Sequence, residues 1–324
     1  MSLKLKICFR QDAGEIVHNL KTGYALTKKL LQTGILETHP VSYLAVTTKT
    51  MQSTHDFMRV KHTRRACWLC FGGLVCAAQG FGLSSSWAQT RSVSIQVAAA
   101  SDLTFVLSRL SADFERDTGQ PIAITYGSSG NLARQIEQGL PMDLFLSADE
   151  SLVMRLAQSG WAQDAGVVYA TGQLAWVVSA SAQAALDPDL KGLLSSLRGG
   201  KLAMANPAHA PYGRAARAAL QSALLWDRVQ AQLVLGENVS QATQFVSSGA
   251  AQAGLVALSL AQASELSSQL RYVRVNSRLH PPIIQRMALR RGASPAAMQF
   301  YMYLQSAAAK KLFAAHGLGS PVPK

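Results

Sequence analysis

Apolar and polar positions follow two different patterns along residues 91–324. Short apolar runs, of which residues 93–99 are the first, predict buried strands, whereas apolar residues at every third or fourth position predict helices. One helical face follows the first strand and consists of Leu103, Val106, Leu107, Leu110 and Phe114. Gly119 is expected to end this helix. Such alternation of strands and helices is typical of an α/β architecture.

The predicted elements form two sets. The first has strands at residues 93–99, 122–126 and 144–147, with helices at 131–138 and 150–158. The second has strands at residues 174–179, 201–205 and 254–258 and helices at 213–225 and 240–248, before a last strand at 283–289 and helices within 295–316. Without a long linker between the sets, we expect two lobes joined by strands that cross near residues 170–174 and 276–283. One lobe would hold residues 91–171 and 282–324, and the other residues 172–281.

The N-terminal quarter has a different pattern. A basic cluster at residues 61–65 precedes an apolar run at 66–83 and the small residues that end at Ala88, which is the order of a secretory signal peptide. We therefore expect a signal at residues 58–88 and a mature protein that starts at Gln89. The alternatives are a membrane anchor and lipid attachment at Cys76. Residues 1–57 form a doubtful extension. Either they lie upstream of a true start at Met51 or Met58, or they are a genuine but poorly ordered segment.

Composition narrows the function classes. The chain has 324 residues and a formal charge of +13, but residues 89–324 carry 20 Lys/Arg against 14 Asp/Glu, or +6. These charges are scattered, without aromatic-basic interleaving, so we expect no nucleic-acid binding. All four cysteines (Cys8, Cys67, Cys70 and Cys76) precede residue 89, so the mature chain is expected to have neither a disulfide nor a thiolate metal site.

Four loops stand where a strand or loop enters a predicted helix: residues 100–102, 128–130, 211–213 and 237–240. Helix N-termini present unpaired backbone N–H groups and a positive dipole end, so they hold anions without a full positive charge. Four such ends that converge would form a donor-rich cage for a dianion. Each loop by itself is also ordinary capping or turn chemistry, and the pattern alone does not choose between these readings.

Four distinctive runs occur along the chain: AAASDL at 98–103, GSSGNLARQIEQGLPMDLFLSADE at 127–150, NPAHAPYG at 206–213 and ENVSQA at 237–242. Their resemblance to the periplasmic molybdate-binding proteins of the ModA family covers residues 91–324. It implies a type II periplasmic-binding-protein fold, α/β in class, with two lobes and a ligand cleft between them. It also implies capture of molybdate or tungstate, without a cofactor, by a monomer that delivers the anion to an ABC permease.

Carried over by position, the resemblance implies five oxyanion-binding residues. Ser101 and Ser129 would give hydroxyl and backbone donors, whereas Asp102, Tyr212 and Val239 would give chiefly backbone N–H groups. Among the four loops only Arg214, directly after the third, adds a cation, and we expect it to point along its helix. The sequence therefore predicts a cage of neutral donors.

Two positions depart from the family pattern. Ala257 stands where many members place a tyrosine hydroxyl on the anion, and Tyr212 is a candidate to replace it, as in the family's other branch. Asp102 stands where that branch can use asparagine. Since a carboxylate that points at a dianion would repel it, we expect the Asp102 side chain to turn away or to cap its helix.

Other readings have less support in the sequence. A different tetrahedral oxyanion such as sulfate is an alternative ligand. A Ser129–His209 hydrolase is the least implausible enzyme, but it lacks a G-x-S-x-G elbow and a marked acid partner. Asp149 and Glu150 are an adjacent acid pair whose place at a helix start suits the helix dipole. We therefore expect a periplasmic binding protein and no enzyme.

Overall fold

The computed structural model describes residues 94–321, which contain two five-stranded sheets. The strands are β1 (Ile95–Ala100), β2 (Ile122–Gly127), β3 (Leu144–Ser147), β4 (Val167–Gly172), β5 (Leu174–Ser179), β6 (Leu202–Ala205), β7 (Leu233–Gly236), β8 (Ala253–Ala257), β9 (Leu270–Arg274) and β10 (Ile283–Leu289). The signal, the N-terminal extension and the four cysteines lie outside the described residues.

The helices connect and cover these strands. They are α1 (Thr104–Thr118), α2 (Ser129–Glu137), α3 (Glu150–Gln158), α4 (Leu193–Leu197), α5 (Pro211–Ser222), α6 (Trp226–Val229), α7 (Val239–Ser247), α8 (Leu258–Ala261), α9 (Pro295–Tyr303) and α10 (Ala307–Ala315), with short 3-10 turns between some of them. No helix between residues 94 and 321 combines the length and hydropathy needed to cross a bilayer.

The first sheet has the strand order β2-β1-β3-β10-β4. Strand β1 pairs in parallel with β2 and β3, whereas the late strand β10 inserts antiparallel between β3 and β4. Apolar side chains cover both faces of this sheet. Leu107, Phe300 and Phe313 belong to the core on one face, and Leu132 and Leu156 to the core on the other.

The second sheet has the order β7-β6-β8-β5-β9 and its own core, which includes the fully buried Trp176. We call the two sheets with their helices the first and second lobes. The chain passes from the first to the second between Gly172 and Leu174, and it returns between Arg274 and Ile283. The predicted α/β class with two lobes is confirmed.

Helix α1 has the buried apolar face and the glycine end that the sequence pattern predicted. Val106, Leu107, Leu110 and Phe114 are buried on one side, and Gly119 ends the helix in the left-handed conformation with φ of 70°. Strands β4, β7 and β9 were not predicted. Strand β9 lies at the edge of its sheet and exposes most of its residues, so its short sequence lacks the apolar run of a buried strand.

Candidate anion-binding site

A small cavity between the lobes brings together the five residues predicted to bind an oxyanion. Its cavity volume is about 10 Å³. Its lining consists of Ala100, Ser101, Asp102, Gly127, Ser128, Ser129, Ala148, Ala210, Pro211, Tyr212 and Val239. None of these lining residues is a lysine or an arginine, so a ligand here would meet neutral donors.

Three helices start at the cavity. Helix α2 begins at Ser129, α5 at Pro211 and α7 at Val239. The first N–H groups of a helix have no partner inside it. In the described part of the chain, no hydrogen bond uses the N–H of Ser129, Tyr212 or Val239, whereas the neighbouring N–H of Gly130 is taken by the His209 carbonyl. The three unused donors belong to three of the five predicted residues.

Two serine hydroxyls at the same cavity each keep an O–H group that is available to donate a hydrogen bond. The Ser129 Oγ accepts a hydrogen bond from the Ala148 N–H at 3.0 Å. The Ser101 Oγ accepts a longer one, 3.4 Å, from the Ser240 N–H of the other lobe. A hydroxyl that accepts from an N–H keeps its own O–H free to donate. Both serines are therefore oriented as donors toward an anion.

The Asp102 side chain turns away from the three unused donors into a buried polar cluster. Its Oδ2 accepts hydrogen bonds from the Tyr212 hydroxyl at 3.0 Å and from the Gln285 Nε2 at 2.5 Å. The Oδ1 of Asp102, the Oε1 of Gln285 and the hydroxyl of Tyr169 are buried without a hydrogen-bond partner among the described residues. The expectation that this carboxylate turns away agrees with this geometry, although it caps no helix.

Burial changes the acid–base chemistry of this cluster. Loss of hydration raises the pKa of Asp102 to about 6, against the lowering effect of hydrogen bonds from Gln285, Tyr212 and its own backbone. Burial and the nearby Asp102 raise the pKa of Tyr212 and of Tyr169 well above the usual value. Both tyrosines are therefore neutral at physiological pH.

Gly172 makes room for this cluster at the strand crossing. A Cβ atom there would lie 2.5 Å from the Tyr212 hydroxyl and 3.0 Å from the Gln285 Nε2. Only glycine lets the hydroxyl approach so closely. The Tyr212 hydroxyl is thus engaged with Asp102, while Ala257 is fully buried at the end of β8 and is not among the residues that line the cavity.

His209 connects the two lobes at one edge of the cavity. Its Nδ1 lies 2.9 Å from the Ser128 Oγ, and its Nε2 lies 3.5 Å from a carboxylate oxygen of Glu237. Its carbonyl also accepts the Gly130 N–H at 3.0 Å. A Cβ at Gly130 would collide with that carbonyl, so the glycine permits the contact. The Ser129–His209 pair considered from the sequence is wrong, because Ser128 is the serine that contacts His209.

The chain has clear relatives among characterised proteins. A family described as bacterial extracellular solute-binding proteins matches residues 95–319. The molybdate-binding protein ModA of Azotobacter vinelandii is 33% identical over 245 residues, which cover 75% of this chain and 95% of that protein. The chain belongs to the ModA family of bacterial extracellular solute-binding proteins.

Two further comparisons agree with this membership of the ModA family. The molybdate-binding protein ModA of Rhodobacter capsulatus is 33% identical over 68% of this chain and 86% of its own. The structure of the Azotobacter vinelandii periplasmic molybdate-binding protein matches with a TM-score of 0.65 and 29% identity, covering 71% of this chain and all of that one.

Arg214 of this ModA family member does not point along its helix, contrary to the sequence expectation. It pairs with Asp149 of the first lobe. Asp149 also caps α3, since its side chain accepts the Ser151 N–H, and Glu150 pairs with Arg286. The acid pair thus stabilises the helix start as predicted and takes part in two ion pairs.

Sequence reasoning missed Gln285 and Tyr169, which complete the polar cluster. Gln285 is a fully buried amide in β10, a strand that is otherwise almost entirely buried. A polar residue in such a strand needs a buried hydrogen-bond partner, so a glutamine within an apolar run was the sequence feature that indicated a polar cluster. The sequence does not indicate that the partner is 183 residues away at Asp102.

Proposed function

We propose that this chain is a periplasmic binding protein that captures molybdate or tungstate and delivers it to the membrane permease of an ABC importer. The observation that carries the proposal is the convergence of three unused N–H groups and two serine hydroxyls on one cavity without a cation. Such donors match an anion that accepts hydrogen bonds on every side. The names of the ModA relatives support molybdate as the ligand.

A cage of neutral donors favours a fully deprotonated anion. Each donor meets an oxygen lone pair, whereas the O–H of a protonated phosphate would find no acceptor among these five donors, and the Asp102 carboxylate is turned into the polar cluster. A buried mismatch of this kind costs about 1–3 kcal/mol, or roughly 5- to 150-fold in affinity. The spacing of the fixed N–H groups then has to give molybdate and tungstate a higher affinity than the smaller sulfate.

The proposal includes export and a binding role without turnover. Export to the periplasm is supported by the basic, apolar and small-residue order at residues 58–88 and by membership of an extracellular family. The anion is the ligand, no cofactor is required, and the protein acts as a monomer.

One observation favours a serine hydrolase instead. Ser128, His209 and Glu237 form a contact chain in the order of nucleophile, base and acid. However, only 4% of Ser128 is exposed, and the cavity beside it is small. We propose that this chain of contacts is structural. A nitrophenyl ester should then be hydrolysed no faster by the wild type than by a Ser128→Ala variant.

Calorimetry of the exported protein tests the main proposal. The protein is purified from a periplasmic extract, so that its N-terminal sequence also reports whether cleavage follows Ala88. Molybdate and tungstate should bind tightly with one anion per chain, and sulfate and phosphate more weakly. Tighter binding of sulfate would reassign the ligand, and binding of none of the four anions would overturn the proposal.

A further inference from the structure

The buried polar cluster beside the cavity holds an acid that has no counter-ion in the described part of the chain. Asp102 is 1% exposed and is one of the residues that line the cavity. Its carboxylate accepts two hydrogen bonds, both from neutral groups, the Tyr212 hydroxyl and the Gln285 amide. Its second oxygen has no partner among the described residues. An ionised carboxylate here is poorly solvated and lies next to the space that the proposed dianion would fill.

Among residues 94–321, no charged side chain faces this carboxylate from the surrounding elements. Tyr212 comes from α5, Tyr169 from β4 and Gln285 from β10, while Ser259 of α8 donates to the Asp102 backbone carbonyl at 2.8 Å. The nearby Arg286 is turned the other way, toward Glu150 and the carbonyls of residues 165 and 166. Both tyrosines stay protonated because their pKa values are raised. Asp102 is therefore the titratable group through which the cluster can change its charge.

Protonation of Asp102 would improve the cluster in two ways. The new O–H on Oδ1 would be a donor in a region where the Gln285 carbonyl and the Tyr169 hydroxyl lack partners. A neutral carboxyl also removes the repulsion between the aspartate and the dianion.

We propose that the protein binds a proton as a co-ligand of the anion, taken from solvent by the Asp102 carboxylate when the dianion is captured, and that Gln285 positions this carboxyl. The balance is one proton and one dianion added to a protein with an ionised Asp102, which gives a complex with a neutral Asp102. This inference rests on the proposed function. It distinguishes this chain from a site with asparagine at the same position, which takes up no proton.

The direction of the pH dependence follows from the pKa of Asp102, which is about 6 in the free protein. Below about pH 6 the carboxyl is already neutral, so binding takes up little proton. Above that value each captured dianion must bring a proton with it, and affinity should fall about tenfold per pH unit until the pKa of the complex is reached.

The test is calorimetry of molybdate binding to the exported protein between about pH 6 and 8, in pairs of buffers that differ in ionisation enthalpy. The dependence of the observed heat on the buffer gives the number of protons taken up. We expect close to one proton per anion near pH 8 and a smaller number near pH 6. Tight binding with no proton uptake across this range would overturn the inference and leave the proposed function intact.

Variants separate proton uptake from a structural role. Asp102→Asn should bind molybdate without proton uptake and with nearly constant affinity. Asp113→Asn, the same exchange in a surface ion pair of α1, should behave as the wild type. Gln285→Leu removes a donor to Asp102, which raises the pKa of the free carboxyl, so its proton uptake should begin at higher pH. A Gln285→Leu profile identical to wild type would exclude the positioning role, even if Asp102→Asn failed to fold.

No binding of molybdate in any buffer, by wild type or variant, would overturn the proposed function and this inference with it. Proton uptake that persists in Asp102→Asn would assign the proton to another group and overturn the inference alone.

Discussion

At the scale of single residues, the site depends on where each hydroxyl hydrogen points. Ser129 is fully buried and its Oγ accepts the Ala148 N–H, so its own O–H remains available to donate. Arg214 is different, because 43% of its side chain is exposed and it already has a carboxylate partner in Asp149. An exposed ion pair of this kind contributes little free energy.

Replacement of Ser129 by alanine should weaken molybdate binding by about 1.5–3 kcal/mol, roughly 10- to 150-fold, because a hydrogen bond to a charged group is lost. Arg214→Ala is the matched comparison and should cost no more than about 1 kcal/mol. Calorimetry measures both affinities, and thermal unfolding without ligand checks that each variant is folded. If Arg214→Ala abolished binding while Ser129→Ala had no effect, the anion would be held by charge and the proposed site would be wrong.

Residue-level prediction from sequence succeeded where chemistry is local. Ser129 and Val239 could be placed at helix starts because capping and turn residues mark such starts within a few positions. Gln285 could not be placed, because its role depends on a pairing with a residue far away in the chain. The same limit applies to His209, whose partner is Ser128 and not the adjacent Ser129.

At the scale of elements, the site is an assembly of helix starts from both lobes. Helix α2 belongs to the first lobe and α5 and α7 to the second, so the cavity exists only when the lobes meet. The long amphipathic helices could be predicted from their period, whereas β7 and β9 could not. Both are short strands at the edges of the second sheet, where few apolar neighbours are required.

The contact of His209 with the start of α2 should slow release of the anion. His209→Ala removes the side-chain contact with Ser128 but leaves the backbone bond to Gly130, so the loss is that of about one hydrogen bond, 0.5–1.5 kcal/mol. We expect dissociation of molybdate to become about 2- to 12-fold faster with little change in association. Stopped-flow displacement by excess tungstate measures the dissociation rate, and stopped-flow mixing of the free protein with molybdate measures the association rate.

His316→Ala is the control for this variant, because the one hydrogen bond of its ring in the described structure is to the Leu312 carbonyl of its own helix. It should leave the dissociation rate unchanged. An equal rate for His209→Ala and the wild type would mean that the contact with Ser128 does not hold the lobes together.

At the scale of the whole molecule, the described chain is in a closed arrangement. Contacts between the lobes surround the cavity, including Tyr212 to Asp102, Ser240 to Ser101 and Arg214 to Asp149. The two crossings between the sheets are short segments that can act as a hinge. The two-lobed α/β class could be predicted from the order of elements. The contacts between the lobes could not, because they join residues that are far apart in the chain and no motif indicates which residues pair.

Closure around the anion should change the size of the molecule. Small-angle scattering of the exported protein should show a smaller radius of gyration after addition of molybdate, because an anion bound by both lobes would favour the closed arrangement over any open one. An anion that calorimetry finds not to bind is the control and should leave the radius unchanged. Equal radii with and without demonstrably bound molybdate would exclude a hinge-closing mechanism.

The position of β10 in the first sheet also constrains how the molecule is made. This strand pairs with β3 and β4 on either side, yet some 110 residues of the second lobe separate it from β4 in the chain. The second sheet can form as soon as its continuous stretch is available, but the first must wait for the last strand before it can be complete. During synthesis, its early strands therefore have unpaired edges that need protection until β10 has been made.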